Sequence, residues 1–125
     1  MIELSLHGTR ILIVEDDYVV ADSLRYLIDG FGGAVTAVVP TVERAFDALA
    51  RDPVDMAVLD INLNGTSVAP LADHLQTLGV PFVFPTGYGG AELLPEHLRG
   101  QPRFDKPVQG EQLVRRMIDL IGRRD

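Results

Sequence analysis

Short apolar segments alternate along this chain with stretches whose apolar residues recur every three or four positions. The segment at residues 10–14 is apolar on both faces after Arg10, and the segment at residues 56–60 is apolar on both faces until Asp60, which is typical of strands covered by helices on two sides. Similar but weaker patterns predict strands at residues 34–39, at residues 80–84 and around Phe104. The pattern therefore predicts five strands.

A helix is predicted after each strand. The apolar stripes of four of them comprise Val20, Leu24, Leu27, Ile28 and Phe31, then Val42, Ala45, Phe46 and Leu49, then Leu71, Leu75 and Leu78, and finally Leu113, Met117, Leu120 and Ile121. Thr41 is a candidate N-cap, and Pro70 fits the first turn of the third helix. The fourth predicted helix, residues 91–98, is poor because it contains Pro95 and follows three glycines.

Five β-α units in regular alternation favour a parallel sheet with helices on both faces. Five units are too few for a closed eight-stranded barrel. We therefore expect an α/β fold, a flavodoxin-like doubly wound five-stranded sheet of order 2-1-3-4-5. Residues 1–125 are expected to form one domain, with a core from about residue 8 to 122 and no output domain.

Composition narrows the possible functions. The chain has no cysteine, which excludes disulfides, thiolate zinc sites and cysteine nucleophiles. Its formal charge of −7 argues against direct nucleic-acid binding. The first residues lack a basic region followed by an apolar stretch, and no apolar run approaches the length needed to cross a bilayer, so we expect neither a secretory signal nor a membrane span. We expect a soluble cytoplasmic protein.

Polar residues follow the strands at one edge of the predicted sheet. They are Glu15 and Asp16 after the first strand, Asp60 at the end of the third, Thr86 after the fourth and Lys106 after the fifth. Each has an ordinary structural explanation when taken alone, as a helix cap, a turn former or a surface cation. In the order 2-1-3, however, strands one and three are neighbours, so the three carboxylates must converge.

Three carboxylates so close together repel unless some are protonated or a cation neutralises them. Oxygen ligands favour a hard ion, and Mg²⁺ keeps waters that a phosphoryl oxygen can replace. A carboxylate nucleophile, Mg²⁺, a lysine and a hydroxyl together suit phosphoryl transfer. An aspartate can itself carry the phosphoryl group as an acyl phosphate.

Several segments resemble the receiver domains of bacterial two-component response regulators. The matching segments are Ile11-Leu12-Ile13-Val14-Glu15-Asp16-Asp17, Val58-Leu59-Asp60, Thr86 after Phe82-Val83-Phe84-Pro85, and Lys106-Pro107. The resemblance implies that Asp60 accepts a phosphoryl group from a phosphohistidine on a histidine kinase or histidine phosphotransferase. It also implies that Asp16 and Asp60 ligate Mg²⁺ directly, Asn62 through its backbone carbonyl and Glu15 through water. Lys106 and Thr86 would contact the phosphoryl group, and the domain would be a switch rather than an enzyme.

The segment Phe84-Pro85-Thr86-Gly87-Tyr88 resembles the Phe-x-Thr-Gly-Tyr motif of a single-domain subgroup, whose members often pair with HWE-type kinases. Such a protein signals through a downstream protein partner or acts as a phosphate shuttle or sink. Many receivers carry an aromatic switch residue three positions before the lysine, where this chain has Arg103. Phe104 faces the other way in a strand and is expected in the core. Tyr88 is then a candidate switch residue together with Thr86.

Two other interpretations remain open. A haloacid-dehalogenase-type phosphatase also combines Asp, Mg²⁺, Thr and Lys, but it uses Asp-x-Asp, and the second residue after Asp60 is Asn62. A pseudo-receiver, an interaction module that is never phosphorylated, would be favoured by loss of Asp16, Asp60 or Lys106, and all three are present. The histidines, His7, His74 and His97, are scattered and are expected to be solvent-exposed.

Overall fold

The computed structural model of this chain describes residues 4–86, 94–105 and 110–122. Its strands are β1 (Arg10–Val14), β2 (Ala34–Val39), β3 (Met56–Leu59), β4 (Asn62–Leu63), β5 (Thr66–Ser67), β6 (Phe82–Thr86) and β7 (Arg103–Asp105). The α-helices are α1 (Tyr18–Gly30), α2 (Val42–Arg51), α3 (Ala69–Leu78) and α4 (Gly110–Gly122). A 3-10 helix covers Glu96–Leu98.

Five strands form one parallel sheet in the order β2-β1-β3-β6-β7. A hydrophobic core lies on each face, one formed with α2 and α3 and the other with α1 and α4. β1 and β3 lie in the middle of the sheet, and every residue of β3 is buried. The prediction of a flavodoxin-like doubly wound fold is confirmed.

Local signals in the sequence explain where the helices begin and end. Asp17 and Thr41 cap α1 and α2, because their side chains accept hydrogen bonds from backbone N–H groups of the first turn. Pro70 lies in the first turn of α3, and Gly79 ends that helix in the left-handed region at φ +72°.

Three local predictions need correction. The fourth strand of the sheet, β6, lies two residues later than residues 80–84, so Thr86 is its last residue. Leu78 is 49% exposed because it lies in the last turn of α3, and Ala72 is buried with Leu71 and Leu75 instead. The weak fourth helix, predicted over residues 91–98, is not an α-helix in its described part. After Pro95 that part is a single 3-10 turn, because proline cannot extend an α-helix.

The histidine prediction is wrong for His74, whose ring is half-buried and lies 5.2 Å from the Phe46 ring, between α3 and α2. His7 is exposed. His97 is exposed as predicted, but its Nε2 lies 2.7 Å from Oδ1 of Asp73 on α3. This contact joins the 3-10 turn to α3.

The end of the sheet opposite the predicted site is held by one ion pair. Asp55 precedes β3 and accepts hydrogen bonds from the backbone N–H and the guanidinium of Arg10. The hydrogen bond and then the charge of Asp55 raise the pKa of the Arg10 guanidinium.

Among the described residues, no helix is long and apolar enough to cross a membrane.

Candidate functional site

The carboxyl ends of β1 and β3 place Glu15 and Asp60 side by side. Val14 pairs with Leu59, so the next residues of the two strands, Glu15 and Asp60, are neighbours. Their backbones are fixed as well, because the Asp60 N–H donates to the Val14 carbonyl at 2.9 Å and the Glu15 N–H donates to the Val39 carbonyl at 3.0 Å. The sheet itself therefore sets the spacing of these two carboxylates.

Glu15, Asp16 and Asp60 form a compact acidic cluster. One carboxylate oxygen from each residue lies within 4.8 Å of those from the other two. Glu15 and Asp60 are only 4% and 7% exposed, whereas Asp16 is partly exposed. Carboxylates so close together and so poorly solvated repel one another, and a cation between them would relieve that repulsion.

The three acidic residues after β1 have two different roles. The Asp17 carboxylate accepts from the N–H groups of Val19 and Val20 at 2.9 and 3.2 Å, which caps α1. Its own backbone N–H donates to Oε2 of Glu15 at 3.4 Å. Asp17 therefore starts the helix, and only Glu15 and Asp16 of the run belong to the acidic cluster.

Asn62 begins a two-stranded hairpin, β4-β5, that the sequence analysis did not predict. Its turn residues, Asn64 and Gly65, have φ of 53° and 80°, as in a type I′ turn, and Asn-Gly is the sequence signal for that turn. The Asn62 side-chain oxygen accepts from the Gly65 N–H at 2.9 Å. The backbone N–H of Asn62 donates to Oδ1 of Asp60 at 3.3 Å. The Asn62 amide oxygen therefore holds the turn, and the backbone carbonyl of Asn62 is the group that the resemblance to receiver domains implies as a metal ligand.

Thr86 and Asp105 are Cα partners at the ends of β6 and β7. This register places the backbones of Thr86 and Asp105 at the same edge of the sheet as the acidic cluster. The predicted roles of Lys106 and Tyr88 lie outside the described residues. So do the predictions for the side chains of Thr86, Arg103 and Phe104.

One feature beside the acidic cluster was not predicted. Of the four large hydrophobic side chains that are exposed in the described part of the chain, three lie on α1: Tyr18, Val19 and Tyr26 are 87%, 75% and 83% exposed. Tyr18 and Val19 follow directly after the Asp17 cap. The sequence signal is that these residues lie off the apolar stripe of α1, whose buried members are Ala21, Leu24 and Ile28.

The donor set fits a hard divalent cation. It consists entirely of oxygen atoms, from three carboxylates and one candidate carbonyl, and no described residue adds a nitrogen or sulfur ligand to the cluster. Such a set favours Mg²⁺, Mn²⁺ or Ca²⁺ over zinc or copper. A carboxylate held next to a bound cation can also accept an electrophile such as a phosphoryl group.

The sequence matches the family model of the response regulator receiver domain over residues 11–117. SdrG from Sphingomonas melonis Fr1 has a similar structure, with a TM-score of 0.80 and 29% identity over 97% of this chain and 99% of that one. The receiver domain of PhyR from Erythrobacter litoralis gives a TM-score of 0.80 and 26% identity, over 94% and 92% of the two chains. A PhyR stress response regulator gives 0.74 and 30% identity, over 90% of this chain but only 44% of that protein. A search among curated proteins found no match.

Proposed function

Because this chain belongs to the response regulator receiver domain family, we propose that it is a phosphoryl-accepting switch whose acceptor is Asp60. The donor in the cell is a phosphohistidine on a histidine kinase or histidine phosphotransferase, and the domain catalyses only its own phosphorylation and dephosphorylation. The observation that carries the proposal is the position of Asp60. It is the buried carboxylate at the end of β3, within 4.8 Å of the carboxylates of Glu15 and Asp16.

The transfer breaks one bond and forms another. A carboxylate oxygen of Asp60 attacks the phosphorus, the bond from phosphorus to the histidine nitrogen breaks, and the imidazole leaves with the electron pair. Asp60 then carries an acyl phosphate. The Asn62 backbone N–H donates to Oδ1 of Asp60 and so orients the carboxylate. Positioning of the reacting groups, together with electrostatic stabilisation, is what a protein contributes to phosphoryl transfer.

Glu15, Asp16, Asp60 and the Asn62 carbonyl are the residues that would hold Mg²⁺. A bound magnesium ion would neutralise the negative charge that otherwise separates a phosphate from these carboxylates. Lys106 supplies a second positive charge in this proposal, since β7 leads the chain to the same edge of the sheet.

Thr86 and Tyr88 are the proposed switch residues. Thr86 is the last residue of β6, and in this proposal its hydroxyl moves onto the phosphoryl group of Asp60 together with the end of that strand. The segment that follows then responds to phosphorylation, because a ligand shifts a two-state element by its differential interaction. The output passes to a protein partner, or the domain serves as a phosphate shuttle or sink.

Within this proposal the donor is a kinase of the HWE type, because the single-domain subgroup that the Phe-x-Thr-Gly-Tyr motif resembles often pairs with such kinases. α1 supports a protein donor in a second way, since its exposed Tyr18 and Val19 lie beside the acidic cluster.

Intact-mass measurement tests the proposal. Incubation with acetyl phosphate and Mg²⁺ should add one phosphoryl group to the wild type and none to Asp60→Asn. Asp55→Asn is a matched control, because Asp55 flanks the other end of β3 and an asparagine can still accept from the Arg10 N–H. Labelling of Asp60→Asn at the wild-type level would refute the acceptor. An unlabelled wild type would favour the pseudo-receiver interpretation.

A further inference from the structure

The outer edge of β2 has no strand beside it within the described part of the chain, because β2 is the first strand of the sheet. The Val39 carbonyl points inward, where it accepts from the Glu15 N–H. Because backbone groups alternate in direction along a strand, the N–H and C=O of Val38 point outward. These groups are available to pair with an added strand.

β2 carries only part of the usual protection of an edge strand, a bulge at Thr36 and a proline, Pro40, directly after its last residue. Its own sequence, AVTAVV, contains no charged residue, whereas exposed edges commonly carry lysine or inward-pointing charges that prevent pairing. A register shift at Thr36 interrupts only its first half, and the Thr36 hydroxyl donates to the Ile11 carbonyl. Residues 37–39 remain regular.

A groove runs beside this edge, between β2 and α2. It has a volume of about 250 Å³. Its lining residues are Ala37, Val39, Arg44, Asp47, Ala48 and Arg51. The sheet side is thus small and apolar, and the helix side carries two guanidinium groups and one carboxylate.

Both arginines of the groove are exposed, and neither forms an ion pair within the described ranges 4–86, 94–105 and 110–122. With Asp47 included, the groove has a net charge of +1 in a chain whose formal charge is −7. Local positive charge beside an uncharged strand edge is complementary to an acidic peptide.

A second copy of this chain fits the groove less well. If two β2 edges paired antiparallel, the side chains that each copy presented on the α2 side would be Ala37 and Val39, which are uncharged and small. The groove would stay open, and the arginines of the two α2 helices would approach one another. Like charges across an interface oppose association.

We infer that the outer edge of β2 and its groove bind an extended peptide with acidic residues at alternate positions. The peptide would add a strand to the sheet, and its acidic side chains would meet Arg44 and Arg51. The groove shares no side chain with the acidic cluster, although the Val39 carbonyl accepts from the Glu15 N–H, and it would serve as a protein-docking surface.

The separation of the two arginines can serve acidic residues on one face of the strand. Arg44 and Arg51 are seven residues apart on α2, about 10.5 Å along the helix axis. Residues two and four apart on one face of a strand are separated by about 6.8 and about 13.6 Å, so the arginine separation lies between these two values and the long arginine side chains can cover either difference.

A fluorescein-labelled octapeptide in which glutamate alternates with threonine tests the inference by anisotropy at low salt. Replacing glutamate by glutamine should weaken binding at least about tenfold, since each Arg–carboxylate pair is charge-assisted. N-methylation of the alternate amides that would pair with β2 should abolish binding without changing the protein. Amide NMR shifts should map to residues 34–39 and 42–51.

Arg44→Gln/Arg51→Gln should lose peptide binding, whereas Arg115→Gln/Arg116→Gln, with the same charge change on exposed positions of α4, should keep it. Arg44→Gln/Arg51→Gln should still be phosphorylated by acetyl phosphate. A failed peptide-binding test is therefore distinct from a failure of the proposed phosphoryl acceptance. Absent peptide binding, binding that survives the glutamine replacement, or a dimer of the free protein whose NMR shifts map to β2 would each overturn the inference.

Discussion

Asp16 and Asp17 are adjacent acidic residues with different partners, and substitution should separate their roles. Asp16→Asn should abolish Mg²⁺ binding, because it removes a partly exposed carboxylate from the acidic cluster. Asp17→Asn makes the same charge change one residue away, and asparagine still caps α1. Its Mg²⁺ affinity should change by less than about threefold, a surface charge effect. Isothermal titration measures both, and equal affinities would refute the ligand assignment.

Glu15→Gln should lower Mg²⁺ affinity less than Asp16→Asn if Glu15 acts through a water molecule, as in the resemblance to receiver domains. Gln retains an oxygen acceptor for the Asp17 N–H bond, so the local backbone is kept. The same titration decides this point, and a complete loss of binding would indicate direct ligation by Glu15.

Gly33 is a residue where packing leaves no space for a side chain. A Cβ there would lie 2.7 Å from Cγ2 of Ile28 and 3.1 Å from Cδ1 of Ile11, both in the core. Gly33→Ala should therefore destabilise the fold by about 1–3 kcal/mol. Gly30→Ala is the control, because nothing lies within 4 Å of its Cβ position, and it should stay within about 1 kcal/mol of wild type. Urea unfolding compares the two.

At the scale of elements, the β4-β5 hairpin links the metal site to backbone geometry. Gly65 and Gly79 have φ of 80° and 72°, and a Cβ at either would meet nothing within 4 Å. Alanine should cost about 1–2 kcal/mol of backbone strain at each position. Only Gly65→Ala should weaken Mg²⁺ binding several-fold, because a strained turn would shift the backbone N–H of residue 65 away from the Asn62 side chain that it holds. Equal effects on Mg²⁺ titrations of the two variants would show that the hairpin does not position a ligand.

The exposed face of α1 is expected to contact the protein donor. Val19→Ala/Tyr26→Ala should slow phosphotransfer from the autophosphorylated kinase by at least about tenfold, since exposed aromatic anchors often carry more than 1.4 kcal/mol of binding. Labelling by acetyl phosphate should be unchanged. Leu78→Ala, at the other exposed large hydrophobic residue of the described chain, is the control and should keep the kinase rate. An unaffected rate for the α1 variant would place the donor elsewhere.

The predicted elements were right where one local signal dominated. Thr41 and Pro70 marked helix starts that the structure confirms. β6 was placed two residues early because Val80 is apolar and buried just as a strand residue would be, so periodicity alone could not locate the start of the strand. The hairpin was missed because its strands are two residues each, too short to show alternation, and only Asn64-Gly65 signalled it.

For the whole molecule, the sheet order followed from the alternation of strands and helices, and the site followed from the sheet order. The proximity of Glu15 and Asp60 could be predicted because neighbouring parallel strands end at the same edge of the sheet. The partial burial of His74 could not be predicted, since it depends on how α2 and α3 pack rather than on spacing along the chain. The exposed residues of α1 could have been found from the sequence, because they lie off the apolar stripe of that helix. The groove beside β2 is likewise a product of packing between α2 and the sheet edge.

The central claim is that phosphate is carried by Asp60 and by no other carboxylate of the acidic cluster. Borohydride reduces an acyl phosphate of aspartate to homoserine, so reduction after labelling with acetyl phosphate, followed by peptide mass mapping, reports the position of the phosphoryl group. The account predicts homoserine at position 60 alone, and none when Mg²⁺ is removed with a chelator. Homoserine at position 16, or at no position in a chain whose intact mass shows labelling, would contradict it.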